Sequence, residues 1–387
     1  ILNNDNYDDI SYVNNKELTT IEFDGNEIKK SLQYGHTQGL HELCDWFKNF
    51  HNNIHNIPYE YNEWNILIGS GSQDLITRCF ESILSPDDTI IVEAPTFTSI
   101  LQHIKGIMYK NENNIISIDS DKNGILPEKL EARLEDIKRN GGKMPKLLYV
   151  IPVGQNPSGL NYNIDRIHEI YNICSKYNIM IFEDDAYYFL NFDGHDYHNN
   201  RYSKSFQSID IEKRVIRTDS LSKTLSSGMR IGYLTAPNEI INNIELQMQL
   251  TCVHTSQLSQ MCMYKLCQYY GENVFKKHLY NISNFYKKKR DLMEYYSNKY
   301  LSNKCSWNKP LSGMFYWYKI NNVDDTELLI KQKGKENLII MYPGKLFYCN
   351  DNPNSIKSPF VRASYSIPDE QQMDVGLKRF AEMIDSI

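Results

Sequence analysis

Through the middle of the chain, short apolar runs alternate with stretches whose apolar residues recur every three or four positions. The runs predict buried strands and the spaced residues predict amphipathic helices, because a helix returns to one face every 3.6 residues. Leu40, Leu43, Cys44, Phe47 and Phe50 form one helical stripe. Leu75, Ile76, Cys79, Phe80 and Ile83 form a second, followed by a Pro86-Asp87-Asp88 turn and a strand over 89–92. Further strands are expected over 146–151, 179–182, 215–218 and 231–235, with a helix marked by Ile164, Ile167, Ile170, Tyr171 and Cys174. Such alternation is that of a parallel α/β sheet. After about residue 275 the rhythm changes. A long helix through 285–296, strand-like segments over 313–318, 338–341 and 360–364, and a helix over 369–384 predict a smaller α+β domain.

At 387 residues the chain has room for two domains. A net charge of −6 gives no support for nucleic-acid binding, which needs a basic face. No apolar run approaches the roughly 20 residues that a spanning helix requires. The eight cysteines are scattered without C-x-x-C spacing, which predicts free thiols in a reducing compartment and neither a disulfide framework nor a metal site. The chain opens at Ile1 in a polar, Asn/Asp-rich stretch, so a targeting segment ahead of it would not be seen.

Candidate chemistry centres on Lys223, which sits among Ser220, Ser222, Ser226, Ser227 and Gly228, with Arg230 seven residues on. A lysine that forms a Schiff base must be partly desolvated, and a phosphate needs several donors at once. Gly69-Ser70-Gly71-Ser72-Gln73 precedes the Leu75 helix, where small residues expose backbone N–H groups at the positive end of the helix dipole. Asn156, in Gly154-Gln155-Asn156-Pro157-Ser158-Gly159, follows a strand and falls at the edge where open α/β sheets bind ligands. Asp185 and Tyr188, in Glu183-Asp184-Asp185-Ala186-Tyr187-Tyr188, are candidates to pair with a pyridine nitrogen and to reach a phenolic oxygen. Phe97 is a candidate ring to stack on a cofactor. Arg362 is a charge on an apolar strand, for which a bidentate carboxylate is the natural partner. Each has a plain structural reading (a Ser-rich turn, an N-cap, an Asn-Pro turn, a core phenylalanine), but their order along the chain does not.

Taken together, with Leu32-Gln33-Tyr34-Gly35, Gly313-Met314-Phe315, Arg362-Ala363-Ser364 and Gln372-Met373-Asp374-Val375, these phrases resemble the class I/II aminotransferases of the fold-type I pyridoxal-phosphate group. Within it they are most similar to the kynurenine/2-aminoadipate and aromatic aminotransferases. The resemblance implies a large domain over 31–280, with a mostly parallel seven-stranded sheet sandwiched by helices. Residues 1–30 and 281–387 would form the small domain. It implies pyridoxal 5'-phosphate as cofactor, Lys223 as the Schiff-base lysine and proton shuttle, Asp185 on the pyridine nitrogen, and Asn156 and Tyr188 on the phenolic oxygen. Gly71, Ser72, Gln73, Ser220, Ser222 and Arg230 would hold the phosphate, with Tyr34 reaching in from the partner of a homodimer. Arg362, with the amide of Asn156, would take the substrate carboxylate, with Phe315 and Tyr342 shaping the pocket. The implied reaction moves an amino group from 2-aminoadipate, kynurenine or an aromatic amino acid to 2-oxoglutarate by a ping-pong route. A pyridoxal-phosphate lyase of the cysteine-conjugate type is the alternative on the same groups. Relatives of this kind work in the cytosol and in the mitochondrial matrix. Phe97 stands where the family often has tyrosine, and the family's N-terminal glycine-rich segment has no counterpart in these residues.

Overall fold

A computed structural model describes residues 20–108, 114–197, 199–349 and 356–386, so the expected small-domain residues 1–19 lie outside the described chain. The main sheet is built from β1 (Trp64–Gly69), β2 (Ile90–Ala94), β3 (Ile115–Asp121), β4 (Gly124–Ile125), β5 (Leu147–Val150), β6 (Met180–Asp184), β7 (Val215–Ser220) and β8 (Gly232–Pro237). Their order is β1-β8-β7-β6-β5-β2-β3-β4. The ladders from β7 through β6, β5 and β2 to β3 are parallel, whereas β8 runs antiparallel to both β7 and β1. The eighth strand, β4, is two residues folded back on β3, too short to leave an alternation in the sequence. The central strands β2 and β5 are buried at every position, as parallel strands covered on both faces must be.

Helices α1 (Gly25–Ser31), α2 (His41–His55), α3 (Ser72–Ile83), α4 (Thr98–Ile107), α5 (Pro127–Arg139), α6 (Ile164–Lys176) and α7 (Asn238–Leu250) are followed by the long α8 (Gln257–Leu301) and by α9 (Glu370–Asp385). One face of the sheet, with Tyr149, Phe182 and Ile216, packs against α3, α4 and α7. The other face, with Leu148, Ile181 and Val215, packs against α5 and α6. Helix α2 and the first part of α8 close on β1 and β8 through Phe47, Phe50, Trp64, Tyr233 and Phe275. Helix α8 breaks at Gly271, whose φ of 61° and ψ of 172° interrupt the helical backbone.

A second sheet, β9 (Cys305–Ser306), β10 (Phe315–Ile320), β11 (Tyr342–Pro343) and β12 (Phe360–Ser364), is antiparallel in the order β11-β12-β10-β9. Its core takes Met293, Tyr296 and Leu301 from α8 and Leu377 and Phe380 from α9. A capping box between Asp369 and Gln372 starts α9 by satisfying orphan N–H groups reciprocally. The strand expected over 338–341 is absent. Leu338 takes a left-handed φ of 55° and Ile340 is 94% exposed, so pairing begins only at Tyr342. A four-residue apolar run carries no register, and nothing in it distinguishes a strand from a solvent-facing turn.

Candidate active site

The ends of β5, β6 and β7 and the start of α3 converge at the carboxyl edge of the sheet, where open α/β folds bind their ligands. Helix α3 starts at Gly71 without a side-chain cap, which leaves its first N–H groups to an outside acceptor. Arg230 leans over this end. Its Nη2 donates to the Ser70 carbonyl at 2.9 Å and its Nη1 to Ser222 Oγ at 3.4 Å. Among the described residues no carboxylate pairs with Arg230. Gly71 is required here: a Cβ on it would stand 2.5 Å from Arg230 Nη2, and its φ is +92°. Ser220 Oγ accepts from the Ser222 N–H, so both hydroxyls lie in the turn that carries Lys223.

Lys223 is half-buried. Desolvation holds its amine below the ordinary lysine value, and the positive charges of Arg230 and Arg362 act the same way against the opposing charge of Asp184. A lysine so placed gives up its proton more readily than one in water and serves as a nucleophile and base.

The carboxylate beside Lys223 is Asp184, not Asp185. Side chains alternate along β6, so Asp184 shares the face of Phe182, towards α3 and α4. Its Oδ2 accepts from the Tyr149 hydroxyl at 2.7 Å, and Thr218 Oγ1 lies 3.4 Å from Oδ1. Asp185 points to the opposite side, where Arg217 Nη1 reaches its Oδ2 at 2.6 Å. Arg217 also makes a two-pronged contact with Asp219 and lies 3.3 Å from Glu183, all four groups buried. One guanidinium thus serves three carboxylates, and burial keeps Asp185 well above its ordinary value.

The tyrosines follow the same shift. Tyr188 is fully buried, donates to the Ser203 carbonyl at 2.7 Å and stacks under Arg217, whose guanidinium is 4.6 Å from its ring centre. Tyr187 instead lies edge-on to Phe315 and within the field of Arg362 and Asp184. The structure thus places Asp185 and Tyr188 with Arg217, and Asp184 and Tyr187 on the side of Lys223 and Arg362. The sequence did not single out Asp184 and Tyr187, because Ile181 and Phe182 are both apolar and give the strand no readable face. Only three-dimensional register separates two adjacent carboxylates or two adjacent tyrosines.

Arg362 reaches the site from β12. It is held by Asn156 Oδ1, which accepts from Nη1 at 2.7 Å, and by the rings of Phe315, Tyr342 and Phe347 at 4.2, 4.6 and 5.1 Å. Burial lowers its pKa, and no carboxylate pairs with it among the described residues. Phe97 precedes α4, half-buried against the adjoining core. Tyr34 is 81% exposed and lies edge-on to His254. Gln73 lies in the first turn of α3.

These features fit a phosphorylated pyridine aldehyde. An unpaired guanidinium over a bare helix start suits its phosphate, a depressed lysine suits its aldehyde, and Asp184 suits a cationic ring nitrogen. Comparison with known proteins agrees. The family model described as aminotransferase class I and II matches residues 6–380. The mitochondrial kynurenine/alpha-aminoadipate aminotransferase of Mus musculus is 38% identical over 376 residues, covering 95% of this chain and 85% of that protein. A crystal structure of Pyrococcus horikoshii kynurenine aminotransferase, in complex with PMP, superposes with a TM-score of 0.82 at 29% identity, covering 93% of this chain and 83% of that one. The fold is also that of Aro9 from C. albicans, with a TM-score of 0.85 at 23% identity over 95% of this chain and 83% of that one. The lyase alternative is not favoured by any of these. Site chemistry and likeness together make this chain a pyridoxal-phosphate enzyme of transamination, and it belongs to the class I and II aminotransferase family.

Proposed function

We propose that the enzyme transfers the amino group of 2-aminoadipate, kynurenine or an aromatic amino acid to 2-oxoglutarate in two half-reactions that share one site. The carrying observation is Arg362, a half-buried guanidinium caged by aromatic rings and fixed by Asn156, with no carboxylate of its own among the described residues. Donor and acceptor both carry a carboxylate beside the reacting carbon, so one fork-shaped cation serves both. Phe315 and Tyr342 flank that cation and suit a long or aromatic side chain. The names of the relatives, kynurenine/alpha-aminoadipate in mouse and aromatic amino acid in Schizosaccharomyces pombe, support this donor class.

When bound, pyridoxal 5'-phosphate supplies the carbonyl that accepts the amine and the ring that accepts electrons. The chain's own groups do the rest in this reading. Arg230, Ser220, Ser222 and the start of α3, with Gly71, Ser72 and Gln73, would hold the phosphate. Phe97 would lie along the ring, Asp184 would pair with its nitrogen, and Asn156 and Tyr187 would hold its phenolic oxygen. Lys223 Nζ, whose hold on its own proton is weakened by its surroundings, takes the proton from the α-carbon of the amino acid. Tyr34 completes the phosphate site of a second copy in a homodimer, which its 81% exposure supports. The large domain is read as 31–280 and the small one as the remainder, supported by the change of core along α8 between Leu279 and Met293. The cytosol or the mitochondrial matrix is the proposed compartment; among the described residues no helix is long and apolar enough to cross a membrane.

The test is a half-reaction. L-2-aminoadipate, L-kynurenine or L-phenylalanine is added to the holoenzyme without any oxo acid while the cofactor absorbance is followed. Conversion to the amine form by at least one donor, reversed by 2-oxoglutarate, is expected. A cofactor spectrum that ignores all three donors would overturn the proposed substrate class.

A further inference from the structure

Tyr149 is the third residue of β5 and has no exposed surface. Its ring packs edge-on to Phe80 and stacks on Phe182, with centres 5.9 and 6.1 Å apart. A phenylalanine would fill the same space. What the tyrosine adds is a hydroxyl, which donates at 2.7 Å to Asp184 Oδ2. The neighbouring strand offers Thr218, paired in register with Asp184, whose Oγ1 makes the longer 3.4 Å approach to Oδ1. Three adjacent strands thus present donor, carboxylate and donor in a row, in an otherwise apolar layer.

We infer that Tyr149 is a positioning residue for the transamination chemistry: its hydrogen bond fixes the Asp184 carboxylate in the ionised form and leaves Oδ1 for the ring nitrogen of the cofactor. This rests on the assignment of Asp184 made above. The electrostatics explain why such a residue is needed. Burial pushes Asp184 up to about 6, and the donors that oppose this are Tyr149 first and Thr218 second. Burial and the nearby carboxylate raise Tyr149 far above the ordinary tyrosine value, so its hydroxyl keeps its proton and remains a donor. Without that donor the carboxylate binds a proton more strongly and draws it from the ring nitrogen, which weakens the pairing that makes the ring an electron sink.

The experiment compares Tyr149→Phe, Thr218→Val and Asp184→Asn by cofactor affinity of the cofactor-free protein, by the pH midpoint of the bound cofactor's absorbance, and by thermal melting. Because phenylalanine refills the ring volume, Tyr149→Phe is expected to melt close to wild type. Its affinity for pyridoxal phosphate should fall about tenfold, the scale of a lost charge-assisted hydrogen bond. The absorbance midpoint should move upward, since a ring with less positive charge releases its proton at higher pH. Thr218→Val should shift both in the same direction by less. If Asp184→Asn changes affinity and midpoint while Tyr149→Phe leaves both at wild type, the inference fails and the Asp184 assignment stands. If Asp184→Asn itself leaves both unchanged, the assignment fails and takes the inference with it.

Discussion

Arg362 Nη1 donates to Asn156 Oδ1 across 2.7 Å, and this bond joins the small sheet to the loop that follows β5 of the large one. It uses the oxygen of the Asn156 amide and leaves the amide nitrogen to donate. Replacing Arg362 by leucine should slow both half-reactions on the order of a hundredfold, the scale of losing a charge-assisted pair in a partly desolvated site. Lysine should rescue little, because an ammonium cannot grip a carboxylate in two places. Single-turnover rates with an amino acid, and separately with 2-oxoglutarate, check this. An effect confined to one half-reaction would show that the two substrates do not share the cation.

Lys223→Ala should abolish transamination while the protein still folds, since the side chain is only half-buried and makes no structural hydrogen bond among the described residues. Melting temperature and turnover measured on the same sample check it. Residual transamination near the wild-type rate would remove Lys223 from the chemistry.

Tyr187→Phe and Tyr188→Phe separate the two faces of the segment after β6. Tyr187 neighbours Arg362 and Phe315, so its variant should change kcat and KM and scarcely move stability. Tyr188 spends its hydroxyl on the Ser203 carbonyl, so its variant should lose about 1 kcal/mol of stability with kcat preserved. Urea unfolding and steady-state kinetics on both proteins decide the matter. A catalytic defect in the second and none in the first would restore the register expected from sequence.

Gly71→Ala puts a Cβ 2.5 Å from Arg230 Nη2 at a φ of +92°. The guanidinium must move off the start of α3, and affinity for pyridoxal phosphate should drop by about tenfold or more. Titration of the cofactor-free protein measures it directly.

Glu93, near the end of β2, is buried, and desolvation pushes it up to about 8, although the polar side chains of Gln155, Ser120 and Tyr162 oppose the rise. Its folded-state value therefore lies above its unfolded one, and the folded protein holds an extra proton between about 4.5 and 8. The stability linked to that proton is complete below the unfolded value and is lost as pH rises through the folded one. Glu93→Gln imitates the protonated acid, so its melting temperature relative to wild type should climb from pH 5 to pH 9. A difference that stays flat over this range would mean that Glu93 is ionised in the native state.

Much of this was legible in the chain. Alternating apolar runs and helical stripes gave the main sheet and its helices, because buried strands and amphipathic faces are one-dimensional patterns. The lysine turn, Asn156, Arg230 and Arg362 were readable because each is a polar residue in a context that demands a partner. What escaped depends on register. Asp184 and Asp185 have the same chemistry and differ only in the face they take, and Arg217 declared itself only once Glu183, Asp185 and Asp219 closed around it. Tyr149 sat inside a strand and looked like core, because a hydroxyl aimed at a neighbouring strand leaves no trace in a linear pattern.

Beyond its break at Gly271, α8 runs unbroken to Leu301, a rod of about 45 Å at 1.5 Å per residue. Phe275 and Leu279 root its foot among the side chains beside β1 and β8, whereas Met293, Tyr296 and Leu301 carry the sheet that bears Arg362. A rod anchored in this way is a lever arm. A tilt of a few degrees at the foot displaces the far end by several ångströms, so the reach of Arg362 towards Asn156 is set by an angle as well as by its own rotamer. Repacking at Phe275 or Leu279, well away from any reacting atom, would thus retune how firmly every substrate carboxylate is gripped.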